Sequence, residues 1–442
     1  MLLIPFLVHG MFQAMGEEFQ VKIEAMAYKG YGVARINGRV IFIPYGIKGE
    51  EIGVEIVEEK RDYSIGQLNR MVSPSPWRVT PPCPYFGRCG GCQWQHIDSG
   101  MQTTFKGEIL EEALRRLGGL REIPSVALSP SSRAYGYRVR VQLKGQKGRI
   151  GYYEERSHRI VQIDHCPIAH PLINQIIPLL TETLAFSSQM EGIEINVSPE
   201  EGRGILILHP SSSPSGMGRP LRDFLRDHTL LKGMAVAWKG SLNLFGHPDL
   251  AFTTSFARNG QTRSLRIQTS PGSFFQIHPE QNLRLIQTVI EFADVTDEER
   301  VLDLYAGIGN FTLPLAMVAG EAIGVEENKT AVDDARRNGA ANGIDRYRFV
   351  HGKVEDVLKR SRMEKPDLIV LDPPRTGCKR VVNEIVDLQP RRIVYVSCEP
   401  TTFSRDIRIF SERGYSLRRL SLIDLFPQSY HMEVVGLLKS PY

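Results

Sequence analysis

Nowhere does this chain of 442 residues contain the roughly 18–20 consecutive apolar residues that a membrane-crossing helix needs, which argues against a spanning segment. The apolar opening from Met1 to Val8 lacks a basic leader and a small-residue cleavage site, so it reads as an extension, or as sequence upstream of a start at Met11 or Met15. Cysteine is scarce. The six present (Cys83, Cys89, Cys92, Cys166, Cys378 and Cys398) are too few and too unevenly spaced for a disulfide framework, and a reducing, cytoplasmic home is expected. Excess charge is also missing: Lys and Arg exceed Asp and Glu by only 4. Any nucleic-acid surface must therefore arise from local clustering. With 42% hydrophobic and 24% charged residues, the composition carries no bias to disorder. The length implies two or three cores.

What is present falls into three regions. From Phe19 to Val72, short alternating segments such as Val21–Glu24, Val40–Pro44 and Glu51–Val57 are separated by glycines at 30, 32, 38, 46, 49 and 53, which predicts a small β-barrel. Ser73-Pro74-Ser75-Pro76 and Pro81-Pro82 mark a linker. A second region, to about Leu265, is rich in strand-like segments (193–197, 204–208, 234–238). It is interrupted by a helical pattern from Met101 to Leu117. From Arg266 onwards, apolar runs at 301–304, 322–325, 348–350, 368–371 and 393–396 alternate with amphipathic helices such as 330–342 and 400–413. That alternation predicts an α/β, doubly wound, mostly parallel sheet, whose ligands bind beyond the carboxyl ends of the strands.

The chemical motifs fall at those ends. Asp303-Leu304-Tyr305-Ala306-Gly307-Ile308-Gly309-Asn310 closes the first strand, and its glycines let backbone approach a ligand. Glu326 ends the second, where an acid can accept hydrogen bonds from ribose hydroxyls. Thr312 occupies the place of a third glycine, so a nucleoside is expected rather than a dinucleotide. Asp372-Pro373-Pro374-Arg375 follows the fourth strand. Ser397-Cys398-Glu399-Pro400 follows the fifth, with Asp424-Leu425-Phe426-Pro427 and His431-Met432-Glu433 beyond it. A lone cysteine after a strand is ordinarily packing material. A thiol and a carboxylate on one sheet edge beside a nucleoside loop instead point to covalent chemistry on an electrophilic base. A start-of-helix position favours the Cys398 thiolate. Cys378, just past the Asp-Pro-Pro loop, is expected to be a packing thiol.

Two further clusters stand out. Cys83, Cys89 and Cys92 lie within ten residues, around Gly90-Gly91, and Cys166-Pro167 follows after 73 more. Four thiolates suit zinc or an iron–sulfur cluster, and spacing leaves both open. Between Arg133 and Arg159, Arg133, Arg138, Arg140, Lys144, Lys147, Arg149, Arg156 and Arg159 face only Glu154 and Glu155. Tyr135, Tyr137, Tyr152 and Tyr153 are interleaved. Cations for phosphate and rings for unpaired bases fit single-stranded RNA.

Together these motifs resemble the S-adenosylmethionine-dependent RNA uracil-C5 methyltransferases, from about Phe19 to Leu438. The resemblance implies a TRAM (OB-like) RNA-binding barrel at 16–75, carried by the motifs 26–35 and 43–50. It implies a central α+β iron–sulfur domain at 76–97 and 128–265, and a class I methyltransferase domain at 98–127 and 266–442. It implies Cys398 as nucleophile, Glu433 as base, and S-adenosylmethionine contacts from Gln276, Tyr305, Asn310, Glu326 and Asp372. Cys83, Cys89, Cys92 and Cys166 would hold a [4Fe-4S] cluster. The expected substrate is RNA, 23S rRNA ahead of tRNA, for a monomer with no membrane partner. An RNA cytosine-C5 enzyme usually has Pro-Cys where this chain has Pro-Pro-Arg. A non-catalytic RNA-binding assembly factor would need neither Cys398 nor Glu433.

Overall fold

The computed structural model describes residues 17–146, 148–182, 189–360 and 364–441; Met1 to Val8, Met11, Met15 and Lys147 lie outside them. The chain divides into two compact units: Met1–Val79 with His96–Asp98, and Thr80–Gln95 with Ser99–Tyr442.

The first unit is a six-stranded sheet in the order Glu18–Lys22, Glu51–Glu59, Tyr63–Ser73, Arg39–Pro44, Tyr31–Ile36, Ala25–Ala27. Alternation turns Val21, Ile23, Ile41, Ile43, Ile52 and Val54 inward. Three register shifts between Glu51–Glu59 and Tyr63–Ser73 bend the sheet. Glu24 N–H donates to the Val33 carbonyl at 2.8 Å, bridging back towards the far strands. Glu50, fully buried, closes the unit: its carboxylate accepts from Arg78 Nε at 2.5 Å and Nη2 at 2.7 Å, and from Ile47 N–H at 2.8 Å.

The second unit holds two large sheets and a hairpin. The seven-stranded sheet runs Ile160–Gln162, Arg149–Tyr153, Arg140–Gln146, Met190–Ser198, Arg203–Pro210, Leu231–Trp238, Ser241–Gly246. All its pairings are antiparallel except that of Arg203–Pro210 with Leu231–Trp238. The eight-stranded sheet runs Tyr347–His351, Glu321–Glu326, Arg300–Leu304, Leu368–Leu371, Arg392–Ser397, Glu433–Lys439, Ser416–Ile423, Val126–Ser129. Its first five strands are parallel; Leu368–Leu371 at the centre is wholly apolar and buried, as a strand covered on both faces must be, while the edge strand Tyr347–His351 carries exposed Arg348 and His351. Glu433–Lys439 runs antiparallel to both neighbours.

The helical pattern around residue 101 forms Ser99–Arg116, and the strand after it joins the eight-stranded sheet against Ser416–Ile423. Strand Val126–Ser129 crosses the expected boundary at 127/128, and Gln261–Thr269 crosses that at 265/266.

Candidate active site

The reversal of one strand brings the thiol and the carboxylate together. Because Glu433–Lys439 is antiparallel to Arg392–Ser397, its first residues align with the carboxyl ends of the parallel strands, and Ser397 pairs with Val434. Cys398 therefore follows directly beside Glu433, residues 35 apart in sequence. Leu371 pairs with Tyr395, which sets Asp372 one strand over at the same edge. The electrostatics bear this out. Burial pushes the Cys398 thiol up to about 12, the charges of Glu433 and Asp372 push the same way, and Arg375 opposes them. Glu433 is held well above the usual carboxylate range, first by burial and then by Asp372.

The expectation of a thiolate favoured by the helix is corrected here. The helix Pro400–Glu412 starts at a cap made by Glu399, whose side chain accepts from Thr401 N–H, and the thiol stands outside it among carboxyls. Cys398 rests as the thiol, and Arg375 is the cation that offsets its neighbours. Burial drops His431 to about 3, helped by Arg375, Lys106 and Arg138, so its imidazole is neutral. Cys378 is buried, its N–H donating to Asp406 at 2.7 Å.

The loop after Arg300–Leu304 is braced by its own hydrogen bonds. Tyr305, at φ 67, and Ala306 both donate backbone N–H to the Val325 carbonyl at 3.0 Å. Gly309 has φ 88, and a Cβ there would meet Leu313 Cγ at 2.9 Å and Phe349 Cζ at 3.1 Å. Glu326 accepts from Gly307 N–H at 3.0 Å and Asn328 N–H at 2.7 Å, which aims its remaining lone pairs outward. Asn310 exchanges two amide hydrogen bonds with Asn282, at 2.9 and 3.0 Å. Thr312, in place of a glycine, donates to Asp303 Oδ2 at 2.5 Å. Asp303 is fully buried, its Oδ1 has no hydrogen-bond partner, and burial raises its carboxyl from 3.8 to about 7. Gln276, half-buried, follows a loop fixed by the buried Asp334, which accepts from Ser270 N–H at 2.8 Å and Ser273 Oγ at 2.7 Å.

Cys83, Cys89, Cys92 and Cys166 all line one cavity of about 530 Å³, which also reaches Arg375 and His431. Among the described residues, no three His, Cys, Asp or Glu side chains are arranged to hold a single metal ion. Burial is the first cause raising all four thiols, to about 11 at Cys89 and about 12 at Cys92, with the other cysteines adding to the rise at each of those two. Gly90 N–H donates to the Tyr153 carbonyl at 2.9 Å, where a Cβ would come within 3.1 Å of the same oxygen.

The basic strip is less open than its sequence implied. Arg140, 18% exposed in its side chain, pairs with Glu194 at 3.0 Å and lies over the rings of Phe274 and Phe275. Arg133 pairs with Glu280 and Arg159 with Glu154. Tyr137 is buried, stacked on His278 with its hydroxyl donating to the Pro427 carbonyl at 3.0 Å, so it cannot stack on a base. Arg138, Arg140 and Lys144 all line the cavity.

The sequence profile of the tRNA (Uracil-5-)-methyltransferase family matches residues 256–440, and that of the TRAM domain residues 13–68. The 23S rRNA (uracil(1939)-C(5))-methyltransferase RlmD of Klebsiella pneumoniae is 33% identical, over 93% of each chain. The chain belongs to the RNA uracil-C5 methyltransferase family. An uncharacterized RNA methyltransferase of Aquifex aeolicus is 32% identical over 95% of this chain and 98% of its own. Among solved structures, the Pyrococcus abyssi tRNA (uracil-54, C5)-methyltransferase bound to S-adenosyl-L-homocysteine superposes with a TM-score of 0.74 at 25% identity, over 95% of this chain and 99% of that one. For an RNA uracil-C5 methyltransferase, the residues that sequence missed are Arg375 beside the thiol and the neutral His431. The only signals for them were their places in Asp-Pro-Pro-Arg and His-x-Glu.

Proposed function

We propose that the protein methylates C5 of a uridine in an unpaired loop of 23S rRNA through a covalent adduct of Cys398. The observation that carries this reading is the pairing of Ser397 with Val434, which sets Cys398 beside Glu433. Uracil C5 is too weak a nucleophile to be methylated directly. Cys398 Sγ gives its proton to solvent and adds to C6, moving the ring electrons to an enolate with charge at C5. Bound S-adenosylmethionine supplies the electrophilic methyl group. Glu433, which must first give up its own proton because burial and Asp372 hold its carboxyl well above the usual range, then takes H5 as the carboxylate, and the electrons left behind expel the Cys398 thiolate and restore the ring. Arg375 steadies that thiolate. Tyr305, Asn310, Glu326, Asp372 and Gln276 would hold the methyl donor, Glu326 through ribose hydroxyls.

Cys83, Cys89, Cys92 and Cys166 would hold a [4Fe-4S] cluster. Four thiols from two segments lining one cavity match its ligand number, since such clusters are held by four cysteine thiolates. Its contribution would be cross-linking and charge, with no electron transfer required. We divide the chain into the TRAM barrel, a domain built on the seven-stranded sheet, and a catalytic domain that includes Ser99–Arg116. The protein acts in the cytoplasm as a monomer. The similarity to a tRNA enzyme supports tRNA as a second substrate class.

Incubation with labelled S-adenosylmethionine and either a 23S rRNA fragment or tRNA transcripts, followed by nucleoside analysis, tests the reading. It requires 5-methyluridine, chiefly in the rRNA. Label in 5-methylcytidine, or in neither RNA, would overturn it.

A further inference from the structure

Gln428 lies between Asp424 and Glu433, and its surroundings tie that segment to the cysteine-bearing loop. It is 1% exposed and sits at φ 69, a left-handed conformation that a non-glycine residue keeps only when its neighbours hold it there. Its carbonyl accepts N–H groups from Gln93 at 3.1 Å and Trp94 at 3.0 Å, just after Cys92. On its other side stands Gln102, fully buried on the helix Ser99–Arg116. Gln102 Oε1 accepts the Gln428 N–H at 2.8 Å. Gln102 Nε2 donates to Gln428 Oε1 at 3.0 Å and to the Trp94 carbonyl at 3.1 Å. One turn along, the buried Lys106 donates to Asp424 Oδ1 at 2.7 Å and the Phe426 carbonyl at 3.1 Å.

We propose that Gln102 is a positioning residue for H5 removal. It locks the segment leading into Glu433 onto the loop that carries Cys89 and Cys92, so order in the cysteine-lined loop reaches the base. The inference rests on Glu433 being that base. An amide is the side chain this place demands, since it must donate and accept at once. Leucine, of similar shape, can do neither. Methyl transfer depends on Cys398 and the bound donor, so a slack Glu433 slows the step after it.

The test uses the full-length protein with Gln102→Leu, Gln428→Met and both together. For Gln102→Leu, kcat should fall about 10–100-fold, the range a displacement near 1 Å produces, with KM for RNA and S-adenosylmethionine affinity within about twofold. The methylated covalent enzyme–RNA complex should persist longer than in wild type, and amides of residues 426–431 should exchange faster. Gln428→Met, which removes one acceptor, should shift the same quantities less, and the double variant should lose no more than Gln102→Leu alone. If Gln102→Leu does not fold, Gln428→Met carries the same comparison. An unchanged kcat, a loss confined to KM or donor affinity, no build-up of the methylated complex, or additive losses would each overturn the proposal. A wild-type protein that methylates no uridine would sink the functional reading instead, and the exchange rates would then judge the tie alone.

Discussion

The nucleoside loop and the cysteine-lined cavity lie in one unit but are built on opposite plans. At the loop, the chain satisfies itself: Glu326 is held by two backbone N–H groups, Asn310 by Asn282, and the loop's own N–H groups by Val325. A ligand there meets a finished surface. At the cavity, four thiols from two segments line one space, each raised by burial. The first is held by its own backbone contacts, and the second brings together residues far apart in the sequence.

Glu433→Gln should cut turnover about 10²–10⁴-fold, the usual range for losing a general base, while the donor still binds. The methylated covalent complex should accumulate on a denaturing gel. Free methylated RNA at the wild-type rate would remove Glu433 from the base role.

Next comes the cavity itself. Cys89→Ser should cost the anaerobically purified, brown protein its iron, about four per chain in the wild type. Amides around residues 85–95 should exchange faster, while those of residues 303–310 stay as they were. Equal loosening of both regions, or stoichiometric zinc in the wild type, would contradict a cluster held by these cysteines.

How far these regions could be read beforehand differs for a physical reason. The parallel strands announce themselves because burial on both faces makes them unbroken apolar runs, and 368–371 falls where its residues predicted. The nucleoside loop is one contiguous segment, so its glycines and acid were legible. What escaped was long-range. The antiparallel course of Glu433–Lys439, which joins Cys398 to Glu433, is a matter of sheet order, not of local pattern. Arg140 looked like a free phosphate ligand because Glu194 is 54 residues away. Tyr137 looked like a stacking platform because nothing local reveals its bond to Pro427. The rise of the Cys398 thiol also depends on carboxyls from two other strand ends.

A smaller effect probes the interior of the loop. Asp303 titrates near 7 in the fold against an ordinary 3.8, so its contribution to stability is full below about 4 and is lost as pH rises through 7. Asp303→Asn removes that loss. Between pH 4 and 8 the stability of wild type relative to the variant should decline by up to about 4 kcal/mol, measured by denaturant melts at each pH. Parallel pH profiles would mean the carboxyl is already ionised at low pH. Least of all, Lys144→Ala at the cavity rim should lower the salt slope of RNA binding by about one and leave donor affinity alone. An unchanged slope would return Lys144 to ordinary surface charge.

The central claim is that Cys398 attacks C6 of a uracil. Mixing the protein with S-adenosylmethionine and RNA containing 5-fluorouridine should trap a methylated covalent complex, since fluorine cannot leave as a cation. Digestion and mass spectrometry should find the nucleotide on the peptide carrying Cys398, and Cys398→Ala should form none. A complex that survives in Cys398→Ala, or a nucleotide mapped to Cys378, would contradict the account.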